Sequence, residues 1–141
     1  MTVSEFQKAY EELVVRYSIP SLRIRGTYTY NDNGKYKTYF HTSDTVVLEL
    51  ETDISKTQVQ SITVFCEPKK SVNIRSITER AAIAYALVVE ILTPELTTYE
   101  RGKILKSLSS NFKKSSVVED NVIYKSKIYD GILMLSAEPK N

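Results

Sequence analysis

The run Ser76–Leu92 is the most apolar stretch of the chain, and its residue spacing predicts a helix that other elements must cover. Ser76 and Glu79 form an S-x-x-E capping box, which is typical of a helix N-terminus. Within this run, the only charged positions are Glu79, Arg80 and Glu90. A helix that is apolar almost all round is buried. We therefore expect this central helix to be covered by the sheet and by the first or third helix, or else by a second copy of the chain.

The end of this run argues against a membrane span. Thr93-Pro94 stops the helix, because the residue before proline is pushed out of the helical region. A spanning helix needs about 20 predominantly apolar residues, and this run contains Glu90 near its end. The sequence therefore predicts no span.

Two further helices are predicted from capping patterns and apolar stripes. Ser4 and Gln7 form an S-x-x-Q box that opens the first helix, and Ile19-Pro20 ends it. Thr97 and Glu100 form another box, which opens the third helix.

A β-hairpin is predicted over Leu22 to His41. Asn33-Gly34 is a strong signal for a type I′ turn, which needs positive φ at both central residues. This turn sets a register in which Asp32 pairs with Lys35 and Tyr28 pairs with Tyr39. The full set of expected pairs adds Tyr30 with Lys37, Thr29 with Thr38, and Thr27 with Phe40.

Strict alternation along these two strands divides the side chains between two faces. We take as the core face the one that carries Leu22, Ile24, Tyr28, Tyr30 and Tyr39. The polar face then carries Arg23, Arg25, Thr27, Thr29, Tyr36, Thr38 and Phe40.

The rest of the chain adds strands before and after the helical pair. Thr45–Glu51 and Val59–Cys66 alternate as a third and a fourth strand, and residues 115–137 are strand-rich. Glu119-Asp120-Asn121 is one expected turn, and Asp130-Gly131 is either a second tight turn or a bulge. The order α-ββββ-αα-βββ predicts an α+β fold, in which an antiparallel sheet of six or seven strands packs against the buried central helix and two further helices. At 141 residues we expect a single domain, 1–141. No motif selects one topology.

The composition narrows the class of protein. One cysteine and one histidine cannot build a zinc site or an internal disulfide. No signal peptide precedes the first helix, so we expect a cytoplasmic protein, although a mature exported domain would look the same. A net charge of +2 gives little support for nucleic-acid binding through phosphate neutralisation.

Candidate catalytic and metal-binding groups are weak. Cys66 and His41 lack any recognisable surrounding motif, and the four glycines are isolated, so no phosphate-cradling loop is expected. Glu49, Glu51 and Asp53 alternate along one strand face, but we expect these carboxylates to pair with the neighbouring Arg23 and Arg25 rather than to hold a metal. The prediction is a protein that is not an enzyme and carries no cofactor.

A cationic cluster lies around the start of the central helix. It consists of Lys69, Lys70, Arg75 and Arg80. Free amides at a helix N-terminus and these cations would suit an anionic ligand. The alternative is a solvated loop.

The leading hypothesis is a binding or regulatory protein that works through protein–protein contact, with a foreign partner or with its own copy. Its predicted binding residues are Arg23, Arg25, Tyr36 and Phe40, because aromatic rings beside arginines are typical of interfaces. The alternative is a small-ligand module with a pocket between sheet and central helix. That pocket would be lined by Tyr28, Tyr39, His41 and Tyr85.

Overall fold

The computed structural model describes residues 1–43, 45–55, 57–67, 74–109 and 114–140. Three helices and seven strands follow the predicted order α-ββββ-αα-βββ. The helices are α1 (Val3–Arg16), α2 (Ile74–Leu92) and α3 (Thr98–Ser109). The strands are β1 (Ile24–Asp32), β2 (Lys35–Thr42), β3 (Val46–Thr52), β4 (Val59–Cys66), β5 (Lys114–Glu119), β6 (Val122–Tyr129) and β7 (Ile132–Pro139).

All seven strands form one antiparallel sheet, which confirms the predicted α+β class. The strand order is β1-β2-β3-β4-β7-β6-β5, so β1 and β5 are the two edges. Asp120 and Asn121 form the expected turn between β5 and β6, both at positive φ. Asp130-Gly131 is a tight turn between β6 and β7 rather than a bulge.

The helices pack on one face of the sheet, with α2 at the centre. α2 contacts β3, β4 and β7, and α1 and α3 flank it. Ala84, Tyr85 and Val88 are fully buried, as the apolar circumference of this helix predicts. Glu90 joins the three helices, because it accepts a hydrogen bond from the Tyr17 hydroxyl at 2.9 Å and lies 3.6 Å from Arg101. Among the described helices, none has both the length and the apolar character to cross a membrane.

The helix starts agree with the sequence in one case and differ in two. The Thr97–Glu100 box is present, with the Glu100 amide donating to Thr97 Oγ1 at 3.1 Å. The first helix instead begins with a Thr2–Glu5 box, two residues earlier than the predicted Ser4–Gln7 pair. α2 begins at Ile74, so it runs through Ser76 and that serine is not its N-cap.

The predicted hairpin register is confirmed at every pair, from Asp32 with Lys35 to Thr27 with Phe40. Asn33 and Gly34 have φ values of 52° and 86°, as a type I′ turn requires. The register shifts between Ile24 and Gly26, where Arg25 is the extra residue of a β-bulge.

This bulge makes the predicted core face of the hairpin wrong for Tyr28, Tyr30 and Tyr39, whereas Leu22 and Ile24 lie on the core side as predicted. Because one residue is inserted, Ile24 and Tyr28 lie on opposite faces although they are four positions apart. Phe40 pairs with Leu48 and points at the helices, where its ring stacks 6.5 Å from Phe6. Tyr28, Tyr30 and Tyr39 therefore lie on the face without helices.

Candidate functional site

Four aromatic rings lie together on the helix-free face of the β1–β2 hairpin. We call Tyr28, Tyr30, Tyr39 and His41 the tyrosine platform. The Tyr28 ring lies 5.1 Å from Tyr39 and 5.4 Å from His41, and the Tyr30 ring lies 5.6 Å from Tyr39. The interplanar angles of these pairs are 15°, 22° and 8°, so the rings are nearly parallel.

A hydrogen bond within the platform joins two of its rings, and two of its rings are exposed to solvent. The hydroxyls of Tyr30 and Tyr39 are hydrogen-bonded at 3.1 Å. Partial burial, followed by the hydrogen bond with Tyr30, raises the pKa of the Tyr39 phenol. Tyr28 and Tyr30 are 51% and 42% exposed, which is high for rings that pack on each other. Grouped exposed aromatic rings of this kind mark interaction sites.

An apolar row continues from the platform across the sheet. His41 pairs with Val47, Val47 with Phe65, and Phe65 with Met134. Cross-strand partners share a face, so these four side chains form one line on the helix-free side. Val47, in the middle of this row, is only 2% exposed.

Among the residues that the structure describes, carboxylates outnumber lysines beside the platform. Lys37 lies 3.5 Å from Asp32 and 3.4 Å from Glu49, and Lys35 lies 3.0 Å from Glu51. Glu67 adds a fourth carboxylate, 3.6 Å from His41 Nδ1. Each lysine is thus already occupied by an ion pair, and this half of the face has an acidic excess.

The opposite half of the same face is basic. Lys125 and Lys127 on β6 and Lys114 on β5 face it, and Glu138 forms an ion pair with Lys125 at 2.5 Å. A broad depression of about 890 Å³ extends from Lys37 to Lys127 between the two halves. The helix-free face is therefore polarised, with aromatic rings at its acidic end.

The predicted binding set does not form one exposed face. Phe40 is fully buried beneath α1. Arg23 and Arg25 are exposed, and Tyr36 is partly buried on the helix side of β2. The β-bulge at Arg25 and the contact between Phe40 and Phe6 are the physical reasons why these four side chains do not share one exposed face.

The predicted pocket residues divide between the two sides of the sheet. Tyr28, Tyr39 and His41 come together in the tyrosine platform. Tyr85 is buried on the helix side, where its hydroxyl donates to the Ser136 carbonyl at 2.5 Å. A depression of about 280 Å³ beside Tyr85 contains none of the other three. Within the described residues, every buried polar side-chain atom has a hydrogen-bond partner, so the core there offers no free polar group to a ligand.

The predicted anion cluster falls largely outside the described part of the chain. Lys69, Lys70 and the Arg75 side chain are not among the described groups. Arg80 lies in the second turn of α2 and is partly buried. The anion-binding prediction therefore stays a prediction.

The carboxylates of β3 pair with lysines rather than with the expected arginines. Glu49 and Glu51 face Lys37 and Lys35, their neighbours on β2, while Asp53 accepts a hydrogen bond from Ser55 at 2.5 Å. In the described residues, no three His, Cys, Asp or Glu side chains lie close enough to hold a metal ion. Cys66 is buried and forms no disulfide.

Sequence reasoning missed Tyr30, Lys35 and Lys37 as site residues. The signal that could have found them is the pairing of β2 with β3. Glu49 is a charged residue that alternates with Leu48 and Leu50 and so points away from the core, and it pairs with Tyr39. Cross-strand partners share a face, so Tyr39 opposite Glu49, and Tyr28 opposite Tyr39, lie on the same outer face as Glu49.

Comparison with known proteins adds no family to these observations. No protein-family model, no curated protein and no solved structure matches the chain.

Proposed function

We propose that the protein is a non-catalytic binding protein that holds a partner protein on the helix-free face of its sheet. The observation that carries this proposal is the tyrosine platform, in which four nearly parallel rings are packed on one another and two of them, Tyr28 and Tyr30, are about half exposed. Rigid aromatic surfaces supply large contact areas at low entropic cost, which suits protein recognition.

The chemistry around the platform favours a basic partner segment. Among the described side chains beside the platform, two lysines accompany four carboxylates, so the local potential attracts cations. The carboxylates are those of Asp32, Glu49, Glu51 and Glu67. Tyrosine faces also attract guanidinium and ammonium groups, with about 0.5–1 kcal/mol for each exposed contact. An arginine-bearing segment fits both features.

The same charges disfavour a nucleic acid at the platform. Stacked aromatic rings can hold bases, but binding a strand also requires cations along its phosphates. Lys35 and Lys37, two lysines beside the platform, are engaged by carboxylates. We therefore assign the platform to a polypeptide.

A peptide titration tests this function. The probe is a short alternating arginine–glycine peptide, with an alternating glutamate–glycine peptide of equal length as its counterpart, and binding is measured by calorimetry at low and high salt. We expect the arginine peptide to bind and to weaken with salt, while the glutamate peptide does not bind.

Platform variants make the test specific. Tyr28→Ala and Tyr30→Ala should each weaken the arginine peptide about two- to fivefold, which corresponds to about 0.5–1 kcal/mol. Tyr99→Ala is the matched control, because Tyr99 is 72% exposed on α3, on the other side of the sheet. Equal effects of all three variants, or equal binding of both peptides, would overturn the proposal.

A further inference from the structure

The two edges of the sheet differ in how well they are protected. β1 has nine residues, and every position after Ile24 is exposed. From Gly26 to Asn31 it carries no charged residue and no proline. β5 has six residues, starts with Lys114, ends with Glu119, and is contacted by α3. Long uncharged edge strands readily pair with another strand. We therefore expect β1, rather than β5, to pair with a strand of another chain.

The hairpin geometry fixes which backbone groups of β1 point outward. A type I′ turn at Asn33-Gly34 closes on the hydrogen-bonded pair Asp32 and Lys35. Backbone groups alternate in direction along an antiparallel strand, so Tyr30 and Tyr28 also direct theirs to β2. The amides and carbonyls that face outward belong to Thr27, Thr29 and Asn31.

These outward amides and carbonyls can form hydrogen bonds with the same groups of β1 in a second copy. In an antiparallel pair with a two-fold axis at Thr29, Thr29 faces Thr29 of the second copy, and Thr27 faces Asn31. This register forms about six backbone hydrogen bonds, and it places Tyr28 beside Tyr30 of the second copy on the helix-free face. The β1 edge of each copy is then covered by the β1 strand of the other, in a symmetric contact that leaves no β1 edge free.

The charges at the two ends of β1 also favour antiparallel over parallel pairing of two copies. Arg25 lies at the start of β1 and Asp32 at its end, and both are exposed. Antiparallel pairing brings the Arg25 of each copy to the Asp32 end of the other, whereas parallel pairing would align like charges. We propose that β1 binds β1 of a second copy around Thr29, so that two chains share one continuous sheet and two platforms meet.

The first test is the mass in solution, measured by light scattering over a range of protein concentrations. We expect a concentration-dependent dimer for the unaltered chain. Thr27→Pro removes one outward amide without touching the bonds to β2, so it should halve the mass. Ser116→Pro is the matched control at an outward position of the other edge, β5, and should leave the dimer intact. A monomeric unaltered chain, or a dimer lost only in Ser116→Pro, would overturn the proposal.

A cross-linking test fixes the register and does not depend on the proline variant folding. Paired residues in this geometry have Cα atoms about 5.5 Å apart, within the range that a disulfide spans. Under mild oxidation, Thr29→Cys should therefore form a covalent dimer. Thr27→Cys should not, because residue 27 faces residue 31, but mixing it with Asn31→Cys should restore the cross-link. Equal cross-linking of Thr27→Cys alone and Thr29→Cys would overturn the register.

Peptide binding to the platform is a separate readout, so failure of the dimer and failure of the proposed function are distinguishable.

Discussion

The ring of Phe40 stacks on the ring of Phe6 with centroids 6.5 Å apart and planes inclined by 12°. This contact ties the hairpin to α1 and fixes which side of β2 is the core. Since neighbours along a strand point to opposite faces, Tyr39 and His41 must then lie on the helix-free side. The tyrosine platform is therefore a direct consequence of one buried phenylalanine pair.

Replacing Phe40 should cost far more stability than replacing a platform tyrosine. Phe40 is 0% exposed, so Phe40→Ala should lower the free energy of unfolding by about 3–5 kcal/mol. Tyr28 is 51% exposed, so Tyr28→Ala should cost less than about 1 kcal/mol, the value of a cross-strand pair. Urea unfolding followed by circular dichroism measures both. Equal losses would mean that the faces of the hairpin are assigned incorrectly.

The hairpin shows how far the sequence could be used and where it could not. Asn33-Gly34 predicts both the turn and the register, because positive φ at two successive residues is confined to few turn types. The bulge at Arg25 has no comparable signal, since a glycine in a strand is compatible with several local geometries. One extra residue places the tyrosines after the bulge on the face opposite to Leu22 and Ile24 before it.

The candidate site was less predictable than the fold because it depends on pairing between distant segments. Lys37 meets Glu49 only when β2 and β3 are in register. Lys37 and Glu49 are far apart in sequence, and no local sequence pattern predicts that they meet. By contrast, α2 could be predicted because its apolar circumference is a local property.

The two exposed glycines of the hairpin should respond differently to alanine. Gly34 has φ of +86°, a conformation that costs an L-residue about 1–2 kcal/mol, so Gly34→Ala should be destabilising by that amount. Gly26 has no positive φ, and a Cβ there would meet nothing within 4 Å. Gly26→Ala should therefore change stability by less than about 0.5 kcal/mol. Thermal unfolding compares the two, and the reverse ranking would contradict the turn geometry.

The cap of α3 gives a third comparison. Thr97 Oγ1 accepts the Glu100 amide at 3.1 Å, so Thr97→Ala should lower the free energy of unfolding by about 1 kcal/mol. Thr98 is the first residue of the helix and is exposed. Thr98→Ala should be neutral or slightly stabilising, because alanine favours helix. Chemical denaturation of the two variants is the measurement, and similar losses would exclude a specific capping role.

Alkaline pH should destabilise the protein through its buried tyrosines. Burial raises the pKa of Tyr10 and of Tyr85 well above the ordinary value of 10.0. The folded state then holds these protons more tightly than the unfolded state, so their contribution is complete below pH 10 and is lost as the pH rises above it. Urea midpoints should fall between about pH 8 and about pH 11. Tyrosinate absorbance should be lower in the native than in the unfolded protein at the upper pH, and identical absorbance would contradict burial of these phenols.

The most direct measurement of the central claim is a map of the peptide-binding surface by amide chemical shifts. The arginine–glycine peptide is titrated into isotope-labelled protein, and shifts are followed for the described strands and helices. Binding at the platform predicts the largest shifts at Tyr28, Tyr39 and Glu49, with little change at Tyr99 on α3. Shifts concentrated on the helices, or spread evenly over both faces of the sheet, would contradict a binding site on the helix-free face.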